Sequence, residues 1–278
     1  MSGGSEEISI AIGAISMITS AFSRRGILST HRSLLLHNIL LLSTTIHQRG
    51  TTAFIISSLN SPRKPLYINR MASSNSDNSG NYNLAQDPKE LFDIYQSPKS
   101  PSQYNSVITS DWGPSYYPSP KPTGKVKERG QVHKDGDWHR SVQVWVAQKD
   151  STNNNVRVLM QRRSKYKDTH PNQLDVSCAG HVNAGDDILE TTIRELEEEL
   201  GGNPSSLIKQ YTIEDIENSR LFTVSSSIEG ETETFGKYNC QEYQEVFLLW
   251  WRGEDIMETT SFAPIIREEV SGFEIICK

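Results

Sequence analysis

Residues 180–202 read GHVNAGDDILETTIRELEEELGG, and the spacing of leucines and acids in this stretch decides the fold. At about 100° per residue, Leu189, Ile193, Leu196 and Leu200 fall in one narrow stripe, which predicts a helix over 187–200 with that stripe buried. Gly201 and Gly202 follow it, supplying residues able to take the positive φ on which helices commonly end. Glu195, Glu198 and Glu199 are spaced i, i+3, i+4 and gather on one flank, whereas Glu197 points to the other side. Such like-charge pairs cost roughly 0.2–0.5 kcal/mol each. Mg²⁺ or Mn²⁺ would offset that repulsion, because hard divalent cations favour carboxylate oxygens, keep several waters and bind phosphates. A solvated acidic helix face is the alternative.

Around this helix the chain reads as one domain with extensions. Strand candidates are 90–95, 141–148, 156–163, 174–182, 220–228, 245–251 and 268–276, with the turn of the first hairpin at 153–155 and a weaker helix at 203–209. Residues 97–122 are rich in Pro and Ser and predict a long exposed loop inserted into a domain that runs over 89–278. The chain stops just after a strand, so the helix expected to cover the sheet is missing.

The N-terminal region differs in composition. Before Asp77 the only acids are Glu6 and Glu7, set among arginines, serines and leucines, which predicts an organellar targeting sequence over 1–71 for plastid or mitochondrion. Translation from Met71 is the alternative and would leave a cytoplasmic protein. Residues 72–88 are Ser/Asn/Gly-rich and read as a disordered linker.

Composition narrows the function classes. The net charge of −6 offers no basic field for polymeric nucleic acid, so a phosphorylated ligand must be bound locally. Mean hydropathy is −0.53, and no uncharged run is long enough to span a bilayer as a helix. Cys178, Cys240 and Cys277 are too few and scattered for a disulfide framework.

The helix segment resembles the Nudix box: Gly180, five residues, Asp186, seven residues, then Arg194, Glu195, Leu196, Glu197, Glu198, Glu199, Leu200, Gly201 and Gly202. Asp186 stands where the family has Glu, and Gly202 where it has an apolar residue. The resemblance implies an α/β fold, an α/β/α sandwich with a mixed sheet, and a metal-dependent hydrolase of a small-molecule diphosphate. It also implies Glu195, Glu198 and Glu199 as metal ligands, Arg194 orienting a glutamate, and a further ligand or base from a distant strand. Glu242 and Glu245 are the candidates for that last role, with an ordinary strand-edge acid as the alternative.

The segments 122–146 and 175–182 are similar to the branch shared by type I isopentenyl-diphosphate isomerases and by plant Nudix hydrolases fused to a peptidase domain. That likeness implies metal ligation by His133, His139 and His181 together with later glutamates, Glu245 among them; turn or core roles for the histidines are the alternative. Tyr243 stands where another Glu ligand is expected. The isomerase needs a cysteine at the position of Ala179; Cys178 is one residue early and on the other face of its strand, so hydrolysis is preferred and isomerisation is the alternative. A catalytically idle binding module is the third reading. Arg162 and Arg163 are candidates for substrate phosphates, or are simply solvated. Gly180 and His181 open the ligand-binding turn, and Trp138, Trp145, Trp250 and Trp251 are core residues or contacts to a base or prenyl chain.

Overall fold

The computed structural model describes residues 87–99, 106–108, 120–150, 155–167, 170–201, 210–232, 236–253, 255–256 and 269–277. The expected leader, most of the linker, the hairpin turn at 153–155 apart from Asn155, and the helix at 203–209 lie outside the described residues.

The elements in chain order are β1 (Leu91–Tyr95), β2 (Ser106–Ile108), β3 (Pro122–Glu128), α1 (Arg129–Asp135), β4 (Trp138–Lys149), β5 (Val156–Arg163), β6 (Leu174–Asp175), β7 (Cys178–His181), α2 (Ile188–Leu200), α3 (Ile213–Asn218), β8 (Arg220–Thr232), β9 (Gly236–Trp250) and β10 (Val270–Cys277). The expected α/β class with a mixed sheet is what the chain forms. Along the sheet the order is β10-β5-β4-β9-β8-β2. β4 and β9 run parallel, with Val142 opposite Glu245 and His139 opposite Glu242, and the other pairings are antiparallel. Residues 97–122 are not loop throughout, since β2 lies within them and pairs with β8 at the edge.

β4 is central and apolar on both faces, as a strand covered from two sides should be. Val142, Val144 and Val146 face a core with Leu196 and Leu200 of α2, Ile216 of α3 and Phe247 of β9. Trp145 and Ala147 face the opposite way, into a cluster with Val158, Met160, Phe222, Val224, Val246 and Leu248. Among the described residues no helical side chain belongs to this second cluster, so both α2 and α3 cover one face. A third, small cluster joins Phe92 and Ile94 of β1 to Val132 of α1. Trp145 and Trp251 are thus core residues, and Trp138 packs on Tyr243 with ring centroids 4.8 Å apart.

α2 starts where the sequence predicts, because the Asp187 side chain accepts a hydrogen bond from the Leu189 amide at 2.8 Å. At its end only Gly201 of the two glycines is among the described residues. Gly201 has φ −94°, so positive φ is not what it supplies; a Cβ there would lie 2.5 Å from the Glu197 carbonyl oxygen, and glycine permits that close approach. The buried stripe is also rotated from the leucine line: Leu196 and Leu200 are fully covered, Leu189 and Ile193 only partly, and the deficit is made up by Thr191, Thr192, Glu195 and Glu199. Burying the two leucines contributes about 2 kcal/mol each, and it carries two carboxylates inward with them.

Candidate active site and metal centre

Packing of α2 on β4 and β7 fixes the acidic cluster. Gly180 of β7 sits directly against the Glu195 carboxylate, and any Cβ at this position would overlap it. A Gly180→Ala variant is therefore expected to push the carboxylate by about 1 Å and to lose ~100-fold in turnover, read as kcat at saturating Mg²⁺. Glu199 is 2% exposed; its Oε2 accepts from the Ala179 amide at 2.9 Å and from Gln161 Nε2 at 3.1 Å, while Oε1 is buried with no hydrogen-bond partner. Glu195 is 5% exposed and Glu198 about one-third exposed, and Arg194 reaches both, at 2.8 Å and 3.3 Å. Arg194 also donates to the His181 carbonyl at 3.4 Å, which ties it to the end of β7.

One guanidinium cannot neutralise three carboxylates in so dry a place. Burial lifts Glu199 to about 7, against the opposing pull of Lys167. Burial also lifts Glu195 and Glu198, against the pull of Arg194. Glu269, in the turn before β10 and paired with Lys167 at 2.8 Å, adds its negative field to all three. A buried carboxylate oxygen without a partner is costly, and a divalent cation satisfies both that oxygen and the excess charge. By chemistry, carboxylate oxygens are the donors that hard divalent cations favour.

Without metal, stability depends on the protonation of these buried groups. Glu199 has a folded value near 7 against 4.5 ordinarily, so the folded state holds the extra proton and its contribution is lost as pH rises from 4.5 to 7. His181, depressed to about 4 from 6.5 mainly by burial, acts oppositely, contributing above 6.5 and losing its effect as pH falls toward 4. In chelator, denaturant midpoints of a Glu199→Gln variant are therefore expected to gain on the parent steadily across pH 4.5 to 7.

The second cluster lies on the other side of β7. Successive strand residues point to opposite faces, so Gly180 meets α2 while His181 faces the side of Ser141 and Glu242. There His133, His139 and His181 gather with centroid separations of 5.1–5.5 Å, and Phe92 stacks on His139 and His181. Glu242 Oε1 is 3.3 Å from His181 Nε2 and 3.8 Å from His139 Nε2, and its Oε2 accepts from Ser141 at 3.0 Å and Gln244 at 2.6 Å. His139 Nδ1 lies 3.0 Å from the Asp137 carbonyl, which places a proton on Nδ1 and leaves the Nε2 lone pair buried and without a hydrogen-bond partner. Arg129 Nη1, a donor only, is 3.1 Å from His181 Nδ1 and 3.4 Å from Glu90. Burial also pushes His133 and His139 below the ordinary histidine value, so the rings are neutral and competent as ligands.

The six expected ligands thus form two groups on opposite faces of β7. Of the two strand acids, Glu242 joins the histidines. Glu245 points to the α2 face, is wholly buried and is held by Arg140, by Arg220 at 2.5 Å and by Thr223 at 2.8 Å. Arg162 and Arg163 are directed at Glu274 and Asp175, on the neighbouring strands β10 and β6. Cys178 is fully buried on the α2 face, with its thiol pushed well up by burial and by Glu199, which is the behaviour of a small core residue. Sequence reasoning missed Glu269, Gln161, Arg129 and Cys240. Only Cys240 carried a local signal, being two residues before Glu242 and so on the same strand face.

The NUDIX domain pattern matches residues 137–275, which is 139 of the 278 residues. Nudix hydrolase 3 of Arabidopsis thaliana is 51% identical over 79 residues, covering 28% of this chain and 10% of that protein. An uncharacterized Nudix hydrolase of Clostridium acetobutylicum is 42% identical over 84 residues, covering 30% of this chain and 39% of that one. The chain therefore spans well under half the length of these curated relatives. Among solved structures, DR0079 from Deinococcus radiodurans is similar over 67% of this chain and 83% of its own, with 18% identity and a TM-score of 0.31. With half of its length matched, and with that half including the glycine-backed carboxylate helix, the chain belongs to the NUDIX domain family.

Proposed function

We propose that the chain hydrolyses the diphosphate linkage of a small organic diphosphate, of the nucleoside diphosphate derivative class, by attack of water at phosphorus. The observation that carries this reading is the pair of buried carboxylates, Glu195 against Gly180 and Glu199 with an unpartnered oxygen, in a cluster short of positive charge. Mg²⁺ or Mn²⁺ bound by Glu195, Glu198 and Glu199 would supply charge neutralisation for the phosphoryl group and lower the pKa of a bound water. Gln161 and the Ala179 amide hold Glu199 in orientation. Arg194 braces Glu195 and Glu198 against each other. Glu198, the most exposed of the three and raised by burial, is the group placed to take a proton from the attacking water. Glu245, clamped by two arginines, positions strands.

Support for the branch shared with isopentenyl-diphosphate isomerases comes from the histidine group and Glu242, which we read as a second metal centre. Ala179 still lacks the thiol an isomerase needs for proton transfer. The test is to incubate the full chain with Mg²⁺ and a panel of nucleotide and prenyl diphosphates, following phosphorus-containing products and double-bond position together. Cleaved nucleotide products support the proposal; an allylic isomer formed without phosphorus release overturns it.

A further inference from the structure

We propose that Cys240 is a sulfur ligand of the centre formed by His133, His139 and Glu242, and that this centre takes a thiophilic transition metal such as Zn²⁺ in place of Mg²⁺. The inference rests on reading the histidines as metal ligands and adds the sulfur and the metal class. Cys240 and Glu242 are two apart on β9 and so share a face. His139 lies opposite Glu242 in the parallel register, and α1, which carries His133, packs on β9.

The donor atoms are already clustered. Cys240 Sγ is 3.0 Å from Glu242 Oε1 and 3.9 Å from His133 Nε2, and the donor atoms of His133, His139 and Cys240 lie within 4.8 Å of one another. Donors at about 2.0–2.3 Å from one tetrahedral ion sit roughly 3.3–3.8 Å apart, so small side-chain shifts close the site. The His139 lone pair is buried, unpartnered and part of the same cluster. His181 is the outer member, since Arg129 donates to its Nδ1 and so leaves the ring proton on Nε2, 3.3 Å from Glu242 Oε1.

Sulfur and imidazole donors select borderline and soft ions, whereas the all-carboxylate set beside Gly180 suits hard ones. The two faces of β7 would then hold chemically different metals. On binding, the Cys240 thiol gives its proton to solvent as the metal–sulfur bond forms.

Co²⁺ titrated into the chelator-stripped full chain tests this. Visible ligand-field bands with a sulfur-to-cobalt charge-transfer band in the near ultraviolet are expected at one equivalent. Zn²⁺ should abolish both, and excess Mg²⁺ neither. Cys240→Ser should lose the charge-transfer band and keep the visible ones. In the Zn²⁺-loaded parent, X-ray absorption should show a sulfur neighbour at about 2.3 Å, a reading that does not depend on the variant folding. Visible bands without sulfur character would overturn the inference while leaving the histidine centre standing. No bands at all would remove both. A charge-transfer band that survives in Cys240→Ser, or displacement by Mg²⁺, would also overturn it.

Discussion

Glu198→Gln is expected to lower turnover by ~10²–10⁴-fold, the usual contribution of a positioned general base, with folding unchanged. The side chain is about one-third exposed and accepts from the neighbouring Arg194 at 3.3 Å, so an isosteric amide disturbs little packing. Part of the loss should appear as weaker apparent affinity for Mg²⁺, because a neutral amide is a poorer ligand for a hard cation. Turnover and thermal melts measured together check both halves. A variant that turned over at the parent rate would remove Glu198 from the reaction and undo the assignment of the carboxylate cluster.

Glu245→Ala is expected to act oppositely, losing about 3–5 kcal/mol of stability while sparing the chemistry. Glu245 is wholly buried and accepts from Arg140, Arg220 and Thr223, so truncation takes from two guanidinium groups the buried carboxylate they share. Denaturant unfolding gives the stability. Turnover per folded molecule should fall by less than tenfold. A stable but inactive variant would return Glu245 to the catalytic role that its place in the sequence suggests.

That contrast shows what the sequence makes legible. The box helix is readable because a single period places its acids, its leucines and its capping Asp187 without help from the rest of the chain. The inward rotation of Glu195 and Glu199 is not, because it depends on a missing Cβ at Gly180, a tertiary contact. Choosing between Glu242 and Glu245 required the register of β9 on β4, since the two residues differ by an odd number and face opposite ways. β3 is exposed almost throughout, so it has no alternation to reveal it, and α1 is only seven residues long. Its end was nonetheless marked by Gly136, which adopts φ +71°. Glu269 reaches the acidic cluster from the other end of the domain, through an ion pair with Lys167 that no local pattern encodes.

On the proposed function, the carboxylates packed around Gly180 direct water to phosphorus. Cleavage run in heavy-oxygen water with Mg²⁺, with the products weighed, is the decisive measurement. One heavy oxygen is expected in a phosphorus-bearing product, in a reaction abolished by chelator and strongly slowed in Glu198→Gln. Label appearing only on carbon, or a rearranged substrate with its diphosphate intact and unlabelled, would contradict it.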